Sequence, residues 1–115
     1  MKEAAADRII TAALDALSVA DGEAFAALVT DDVVIATERR TRSGIDEARE
    51  WAAKRYDHLD RRYRITKLDH REHATVVDAC VEYLWRGEED VADTSGVIFH
   101  FVLAGERIRR IELHD

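Results

Sequence analysis

The sequence contains no proline, one cysteine and five glycines in 115 residues. The single cysteine, Cys80, excludes an internal disulfide and is typical of a protein from a reducing compartment. The absence of proline leaves helices and strands without the interruption that this residue causes. The glycines form no phosphate-binding pattern such as G-x-G-x-x-G, so we expect no bound cofactor.

The chain is also short of positive charge and of long apolar runs. It has 17 Lys and Arg residues against 24 Asp and Glu residues, a formal net charge of -7. This balance disfavours binding to nucleic acid or to an anionic membrane surface, since both recognise cations. No apolar run approaches the ~20 residues that span a bilayer, and the first ten residues lack an apolar core of signal-peptide length. We therefore expect a soluble cytoplasmic protein.

What the sequence does contain is enough apolar material for one core. Hydrophobic residues make up 47% of the chain and charged residues 36%, a composition that disfavours disorder. A chain of this length buries roughly two-thirds of its unfolded surface. No linker, repeat or low-complexity tract divides it. We predict a single domain over residues 1–115.

The first part of the sequence predicts two helices. Apolar side chains recur at helical spacing over residues 4–18. Asp21-Gly22 breaks this helix, and Asp21 can cap the next one by accepting a free backbone N–H. The second helix is expected to end at Asp31-Asp32 and to bury three apolar side chains, namely Phe25, Leu28 and Val29.

A short strand and a third helix are predicted next. The run Val33-Val34-Ile35-Ala36 is β-branched and too short for a helix. Ser43 resembles an N-cap, because its hydroxyl can accept the backbone N–H of Asp46. The helix that follows is predicted from apolar residues at helical spacing: Ile45, Ala48, Ala52, Tyr56 and Leu59.

The second half of the sequence alternates in the manner of β-strands. Polar turns separate four predicted strands, which are Tyr63 to Leu68, Ala74 to Arg86, Ser95 to Leu103 and Arg107 to Leu113. The order of elements predicts an α+β fold, with three N-terminal helices packed on one face of a curved antiparallel sheet.

Several short segments carry a resemblance to a known family. They are Ala20-Asp21-Gly22, Leu28-Val29-Thr30-Asp31-Asp32, Arg42-Ser43-Gly44, Ala48-Arg49-Glu50-Trp51, Phe99-His100-Phe101 and Gly105-Glu106-Arg107-Ile108. With these segments the chain resembles the SnoaL-like family of the nuclear transport factor 2-like superfamily, which includes ketosteroid isomerase. The resemblance implies a cone-shaped half-barrel with a central pocket. Its members include isomerases, dehydratases, epoxide hydrolases, polyketide cyclases and non-enzymatic adaptors, so the fold does not choose the function.

The resemblance also places the catalytic groups of ketosteroid isomerase on this sequence. That enzyme uses a carboxylate base together with a tyrosine and a protonated aspartic acid that stabilise the oxyanion. The matched positions here are Thr37, Ala13 and Phe99, none of which can perform these roles. The isomerase reaction is therefore not expected, because stabilisation of the oxyanion usually makes the largest single contribution to the rate enhancement.

Strand alternation predicts an aromatic and apolar pocket. Along the long strand, Ala79 shares one face with Val81, Tyr83 and Trp85, and this face is expected to meet the helices. The resemblance adds further inward positions. The expected ligand-binding residues are Trp51, Val81, Tyr83, Trp85, Phe99, Phe101 and, over the pocket mouth, Arg40. Such a pocket suits a hydrophobic small molecule, although the same aromatic side chains could simply fill the core.

Two carboxylates near this pocket are candidate catalytic groups. Glu38 lies one residue beyond the matched base position, and Asp93 shares strand parity with Phe99. Glu38 could act as a base, and in an apolar cavity desolvation would raise the pKa of the Asp93 carboxyl toward a catalytic range. The alternative is that Glu38 belongs to a solvated loop with Arg40, and that Asp93 is a hairpin residue in water.

The remaining reactive side chains predict no site. Asp69-His70-Arg71-Glu72-His73 is the one metal-like cluster, but it lies between two strands, where this spacing directs the imidazoles apart. Alternation places His100 on the face opposite the pocket. Cys80 has no adjacent base to activate it and is interpreted as a small semi-buried hydrophobe. We predict no metal site.

Three hypotheses for function follow. The first is a SnoaL-like cyclase, isomerase or dehydratase that acts on a hydrophobic metabolite. The second is a non-catalytic protein that binds a hydrophobic ligand. The third is a dimeric interaction module, since relatives often form homodimers through the outer face of the sheet. Here that face would carry Asp78, Glu82, Leu84, Ile98, His100 and Val102.

Overall fold

The computed structural model describes residues 2–55 and 58–114 of the chain, and of Lys2 the backbone only. Within these residues three helices and six strands form an α+β fold with a curved sheet. The helices are α1 (Lys2–Ser18), α2 (Gly22–Ala26) and α3 (Ile45–Ala53). The strands are β1 (Val29–Ala36), β2 (Thr41–Ser43), β3 (Leu59–His70), β4 (Thr75–Trp85), β5 (Val91–Ala104) and β6 (Arg107–His114).

The strands form one sheet in the order β2-β1-β6-β5-β4-β3. Strands β3 to β6 are an antiparallel meander, as the alternation predicts. The prediction of a wholly antiparallel sheet is wrong for one pair, because β1 runs parallel to β6 with Ile35 opposite Ile111. Alternation indicates which residues share a face, but it does not indicate which distant strand lies alongside. The sheet is therefore mixed.

The core lies between the helices and one face of this sheet. Side chains at alternating positions of β4 and β5 enter it, and α1 covers them with an apolar stripe. Each fully buried Leu, Ile or Phe contributes roughly 1.5–3 kcal/mol from its removal from water. The largest of these side chains are Phe25, Phe99, Phe101, Ile10, Leu14, Leu17, Ile35, Ile108 and Ile111.

The second helix is shorter than the sequence predicts. Asp21 caps it as expected, since its Oδ1 accepts the N–H of Ala24 at 3.0 Å. However, α2 ends at Ala26, and β1 begins at Val29. Asp31 and Asp32 are exposed residues within β1 rather than the end of the helix. The pairing of β1 with β6 is irregular at this point, which lets two consecutive carboxylates face water.

The third helix also differs at both ends. Ser43 is not its N-cap, because it belongs to β2, and Gly44 occupies the cap with φ 92° and no side-chain bond. This left-handed conformation favours glycine. The helix ends at Ala53, and Leu59 begins β3. The predicted helical position of Tyr56 lies outside the described residues.

No helix in the part of the chain that the structure describes has both the length and the apolar character needed to cross a membrane.

Candidate functional site

A small cavity lies between α3 and the sheet. Its volume is about 170 Å³. The end of β1, helix α3 and strands β3 to β6 all contribute to its wall. The lining residues are Thr37, Trp51, Arg61, Tyr63, Val81, Tyr83, Ser95, Val97 and Leu113. The wall therefore combines aromatic rings with hydroxyl groups and one guanidinium.

Strand register explains how these side chains meet. Tyr63 on β3 stands opposite Val81 on β4, which stands opposite Ser95 on β5. Paired residues of an antiparallel sheet project on the same face. The neighbouring row runs through Arg61, Tyr83 and Asp93 in the same way.

The row through Asp93 supplies only part of the cavity wall. Arg61 and Tyr83 line the cavity, but Asp93 is exposed, and its Oδ1 accepts the N–H of Thr94 at 2.8 Å. The two rows therefore bring polar groups from three strands toward the cavity and leave the carboxylate in water.

An aromatic wall bounds the cavity on its inner side. The ring of Tyr63 lies 5.9 Å from that of Phe99, and Phe99 stacks on Phe101 at 5.4 Å. Phe99 and Phe101 are 0% and 1% exposed, respectively. These two phenylalanines, which the sequence places among the ligand-binding residues, therefore fill the core rather than line the cavity. The cavity is small because they occupy the middle of the fold.

Three of the predicted ligand-binding residues do line the cavity. They are Trp51, Val81 and Tyr83. Trp51 is held by an edge-on contact with Phe25, whose ring lies 5.7 Å away. Trp85 does not line the cavity, since it lies at the end of β4 and is 51% exposed. Strand parity predicts the face on which Trp85 lies, but it does not predict that the strand ends there and leaves the ring in water.

The two candidate carboxylates and Arg40 lie outside this cavity. Glu38 is exposed in the turn between β1 and β2. Arg40 is exposed in the same turn, and its Nη2 lies 3.8 Å from Oε1 of Glu47. Together with the exposed Asp93, this leaves no acidic side chain of residues 2–55 and 58–114 in the cavity wall.

Arg61 and Ser95 are lining residues that the sequence does not single out as a site. The Arg61 guanidinium lies over the Tyr63 ring, 5.6 Å from its centroid, and its Nη2 donates to the carbonyl oxygen of Lys54 at 3.3 Å. Arg61 precedes the predicted start of its strand at Tyr63, whereas β3 begins at Leu59. An extension of that strand by two residues would have placed Arg61 on the Tyr63 face.

The metal-like cluster is dispersed by the hairpin between β3 and β4. His70 points to Asp7 and Thr75, while His73 is exposed. Among the described side chains there is no group of three or more His, Cys, Asp or Glu placed to hold a metal ion. Cys80 is a partly buried free thiol.

Comparison with known proteins gives matches in structure but not in sequence. No family model matches the chain, and no curated protein matches it. A protein with a ketosteroid isomerase-like fold from Catenulispora acidiphila, solved in complex with trimethylamine, matches with a TM-score of 0.78 and 17% identity over 93% of this chain and 84% of its own. An epoxide hydrolase of the LEH-like type from M. tuberculosis matches with a TM-score of 0.78 and 16% identity, over 96% of this chain and 82% of its own.

The chain has the nuclear transport factor 2-like fold. A designed protein with a curved β-sheet matches it equally well, with a TM-score of 0.76 and 17% identity over 99% of this chain and 87% of its own. At this level of identity the likeness shows the fold alone, and the activities of the natural proteins are not transferred to this chain.

Within this nuclear transport factor 2-like fold, the position matched to the catalytic base is occupied by a turn residue. The hydroxyl of Thr37 donates to the carbonyl oxygen of Arg40 at 3.0 Å and accepts the N–H of Arg40 at 3.2 Å. The hydroxyl therefore closes the turn between β1 and β2. The positions matched to the two oxyanion donors, Ala13 and Phe99, are both 0% exposed and apolar.

Proposed function

We propose that this chain is a SnoaL-like small-molecule pocket protein that binds a compact molecule built on one hydrophobic ring in the cavity beside Trp51. The observation that carries the proposal is a wall of three aromatic side chains around a space of about 170 Å³, with no acidic group among the described lining residues. A cavity of about 150 Å³ holds a benzene-sized ligand. The cavity is therefore suited to a single ring.

The polar groups of the wall favour a particular kind of ring. Tyr83 and Ser95 have hydroxyl groups, and Trp51 has an indole N–H. These groups can donate hydrogen bonds, so the cavity suits a ligand with one or two hydrogen-bond acceptors. Arg61 adds a positive charge at the wall, which favours a neutral or anionic polar group over a cationic one. A simple aromatic carboxylate such as benzoate fits this description.

Fluorescence provides a direct test, because Trp51 and Trp85 are the two tryptophans of the chain. In the Trp85→Phe variant, Trp51 is the single reporter at the cavity. Titration with benzoate, phenol and toluene, with excitation beyond the absorption of these probes, is expected to change Trp51 emission in a saturable manner and to raise the melting temperature. At 100 times its Kd, a ligand stabilises the folded state by about 2.7 kcal/mol.

The matched control is Trp51→Phe, in which the exposed Trp85 becomes the reporter. Its emission is expected to remain constant during the same titrations. If neither Trp51 emission nor the melting temperature changes at millimolar concentrations of any of the three probes, the proposal of a ring-sized ligand is wrong.

A second candidate function is acid–base catalysis on a hydrophobic metabolite, of the cyclase, isomerase or dehydratase type. The observation that favours it is the cross-strand row in which Asp93 pairs with Tyr83, which in turn pairs with Arg61, because Tyr83 and Arg61 line the cavity. A ligand that reaches from the cavity to this row would meet the carboxylate. In a structure with bound ligand, an Asp93 oxygen within about 3 Å of it would support this function; a carboxylate that still faces water would not.

The outer face of the sheet supports the further proposal of a homodimer. Ile98 is 41% exposed there, beside the partly buried imidazole of His100. A second copy of the chain would cover this mixed apolar and polar surface, as interfaces between identical subunits do. Light scattering at micromolar concentration tests the proposal, since the mass of a monomer would contradict it. We place this protein in the cytoplasm, in keeping with its single cysteine.

A further inference from the structure

A groove of about 940 Å³ has Phe101 in its wall. Phe101 is at one end of the aromatic row Tyr63–Phe99–Phe101, and Tyr63, at the other end, lines the cavity beside Trp51. The groove runs between the first half of α1, the hairpin of β3 and β4, and the turn of β5 and β6. Its lining includes the apolar side chains of Ile9, Phe101 and Leu103. The polar lining residues are Glu3, His70, Arg71, Glu72, His73, Thr75 and Glu106. Of these, His70, Arg71 and Thr75 lie at the end formed by β3 and β4.

Three side chains from different elements are joined by hydrogen bonds at this end. The imidazole of His70, at the end of β3, has Nε2 2.7 Å from Oδ1 of Asp7 on α1. Its other nitrogen, Nδ1, lies 3.1 Å from Oγ1 of Thr75 at the start of β4. Thr75 is 6% exposed and is one of the few buried polar residues of the described chain.

With Asp7 ionised and His70 neutral, the state in which the imidazole can accept a proton, both bonds have a defined direction. An ionised carboxylate can only accept, so Nε2 of His70 carries the hydrogen and donates to Asp7. In the neutral imidazole Nδ1 is then the acceptor, and the hydroxyl of Thr75 donates to it. A hydroxyl bonded to a base that a third group orients is the arrangement that activates an alcohol as a nucleophile.

We propose that Thr75, His70 and Asp7 form a second site, at which the Thr75 hydroxyl accepts the acyl group of a small ester. In the first step Oγ1 of Thr75 bonds to the acyl carbon while Nδ1 of His70 takes the hydroxyl proton. The bond from that carbon to the leaving oxygen then breaks, and the leaving alcohol takes the proton from His70. Water, which loses a proton to Nδ1 of His70, next attacks the acyl carbon. The bond from that carbon to Oγ1 breaks, His70 returns the proton to Oγ1, and the free acid leaves.

The surroundings of the hydroxyl define the substrate class. Because Thr75 is recessed, an unhindered acyl group such as acetyl can reach Oγ1, whereas a bulky or branched one meets the wall of the groove. The apolar side chains of Ile9 and Leu103 suit an apolar alcohol portion. Arg71 lines the same groove, and although its Nε donates to Asp69 at 2.9 Å, its Nη groups are the candidate donors to the carbonyl oxygen.

The test uses p-nitrophenyl acetate and the full-length protein. We expect a burst of p-nitrophenol approaching one equivalent per chain, followed by slow turnover. Peptide mass spectrometry is expected to find one acetyl group on Thr75. Thr75→Val, which keeps the shape of the side chain, is expected to lose both the burst and the adduct, whereas Thr75→Ser keeps both. His70→Gln is expected to slow acylation by about 100-fold or more.

Asp7 is a positioning residue in this scheme. Asp7→Asn is therefore expected to lower the maximal acylation rate, while the ester concentration that gives the half-maximal rate stays the same. His58→Gln removes an exposed imidazole outside this groove and is expected to leave the burst unchanged. Thermal melts establish that each variant is folded. An acetyl group found on lysine or the N-terminus instead, or a burst that survives Thr75→Val, would overturn the proposal.

Discussion

Gly22 begins α2 at the point where this helix touches α3. A Cβ atom at this position would lie 2.6 Å from the carbonyl oxygen of Arg49 and 3.1 Å from Cβ of Ala53. A backbone carbonyl within a helix cannot move aside as the end of a flexible side chain can, so the two helices would have to separate. We predict that Gly22→Ala lowers the free energy of unfolding by about 1–3 kcal/mol, measured by urea denaturation.

Gly96 provides the matched control for this substitution. It lies in β5, and a Cβ atom there would have no heavy atom within 4 Å. Gly96→Ala is therefore expected to leave the stability unchanged or slightly raised, because alanine loses less backbone freedom on folding. Equal losses from the two substitutions would mean that α2 and α3 are not in close contact at Gly22.

At the scale of secondary structure elements, Ser18 connects α1 to the edge of the sheet. Its hydroxyl donates to the carbonyl oxygen of Leu14 at 2.9 Å and accepts the N–H of Tyr63 at 2.9 Å. Tyr63 lies on β3, the last strand of the sheet. We predict that Ser18→Ala lowers the free energy of unfolding by about 0.5–1.5 kcal/mol and speeds hydrogen exchange at the Tyr63 amide.

Thr11→Ala is the control for this link, since Thr11 is an exposed residue on the same helix. It is expected to leave the exchange rate at Tyr63 unchanged. Faster exchange at Tyr63 in both variants would indicate that the amide responds to the stability of α1 as a whole rather than to the hydroxyl of Ser18.

The sequence predicts the elements of this fold better than their boundaries. The helical spacing in α1 and the alternation in β4 are long enough to be unambiguous, and the structure places these elements within two residues of the patterns, whereas β5 begins at Val91 rather than at Ser95. Val29 and Leu59 are different, because each is an apolar residue that fits the helical spacing before it and also begins a strand. Only the partner strands, β6 for Val29 and β4 for Leu59, decide between the two.

The sequence predicts those site residues whose position depends only on alternation along one strand. Tyr83 and Val81 line the cavity because alternation along one strand places them there. The bond between Asp7 and His70 joins residues 63 positions apart and depends on how α1 crosses the sheet, which no local pattern encodes. Trp85 has the parity of Tyr83 but is exposed as the last residue of β4, and the point at which a strand ends also depends on its partner strands.

At the scale of the whole molecule, Phe99 lies in the middle of the core and joins the rings of Tyr63 and Phe101. It contacts Tyr63 on one side and Phe101 on the other, and it is 0% exposed. Phe99→Ala is predicted to lower the free energy of unfolding by about 3–5 kcal/mol, since the surrounding side chains cannot collapse into the space. Thermal unfolding followed by circular dichroism measures this loss.

Ile98 is the control on the opposite face of the same strand. It is 41% exposed, so Ile98→Ala removes little buried surface and is expected to change the stability by about 0.5 kcal/mol or less. A loss from Ile98→Ala as large as that from Phe99→Ala would show that the outer face of the sheet is covered in solution, and it would direct attention to the proposed homodimer.

The position of β6 has a consequence for the order in which the fold can assemble on the ribosome. β6 lies between β1 and β5, although it follows every other element in the chain. Until residues 107–114 have left the exit tunnel, the hairpin of β1 and β2 and the meander of β3 to β5 share no strand ladder. A nascent chain in which β6 has not yet paired therefore carries unpaired strand edges at β1 and at β5, and these are the surfaces that a chaperone would have to shield until β6 joins them.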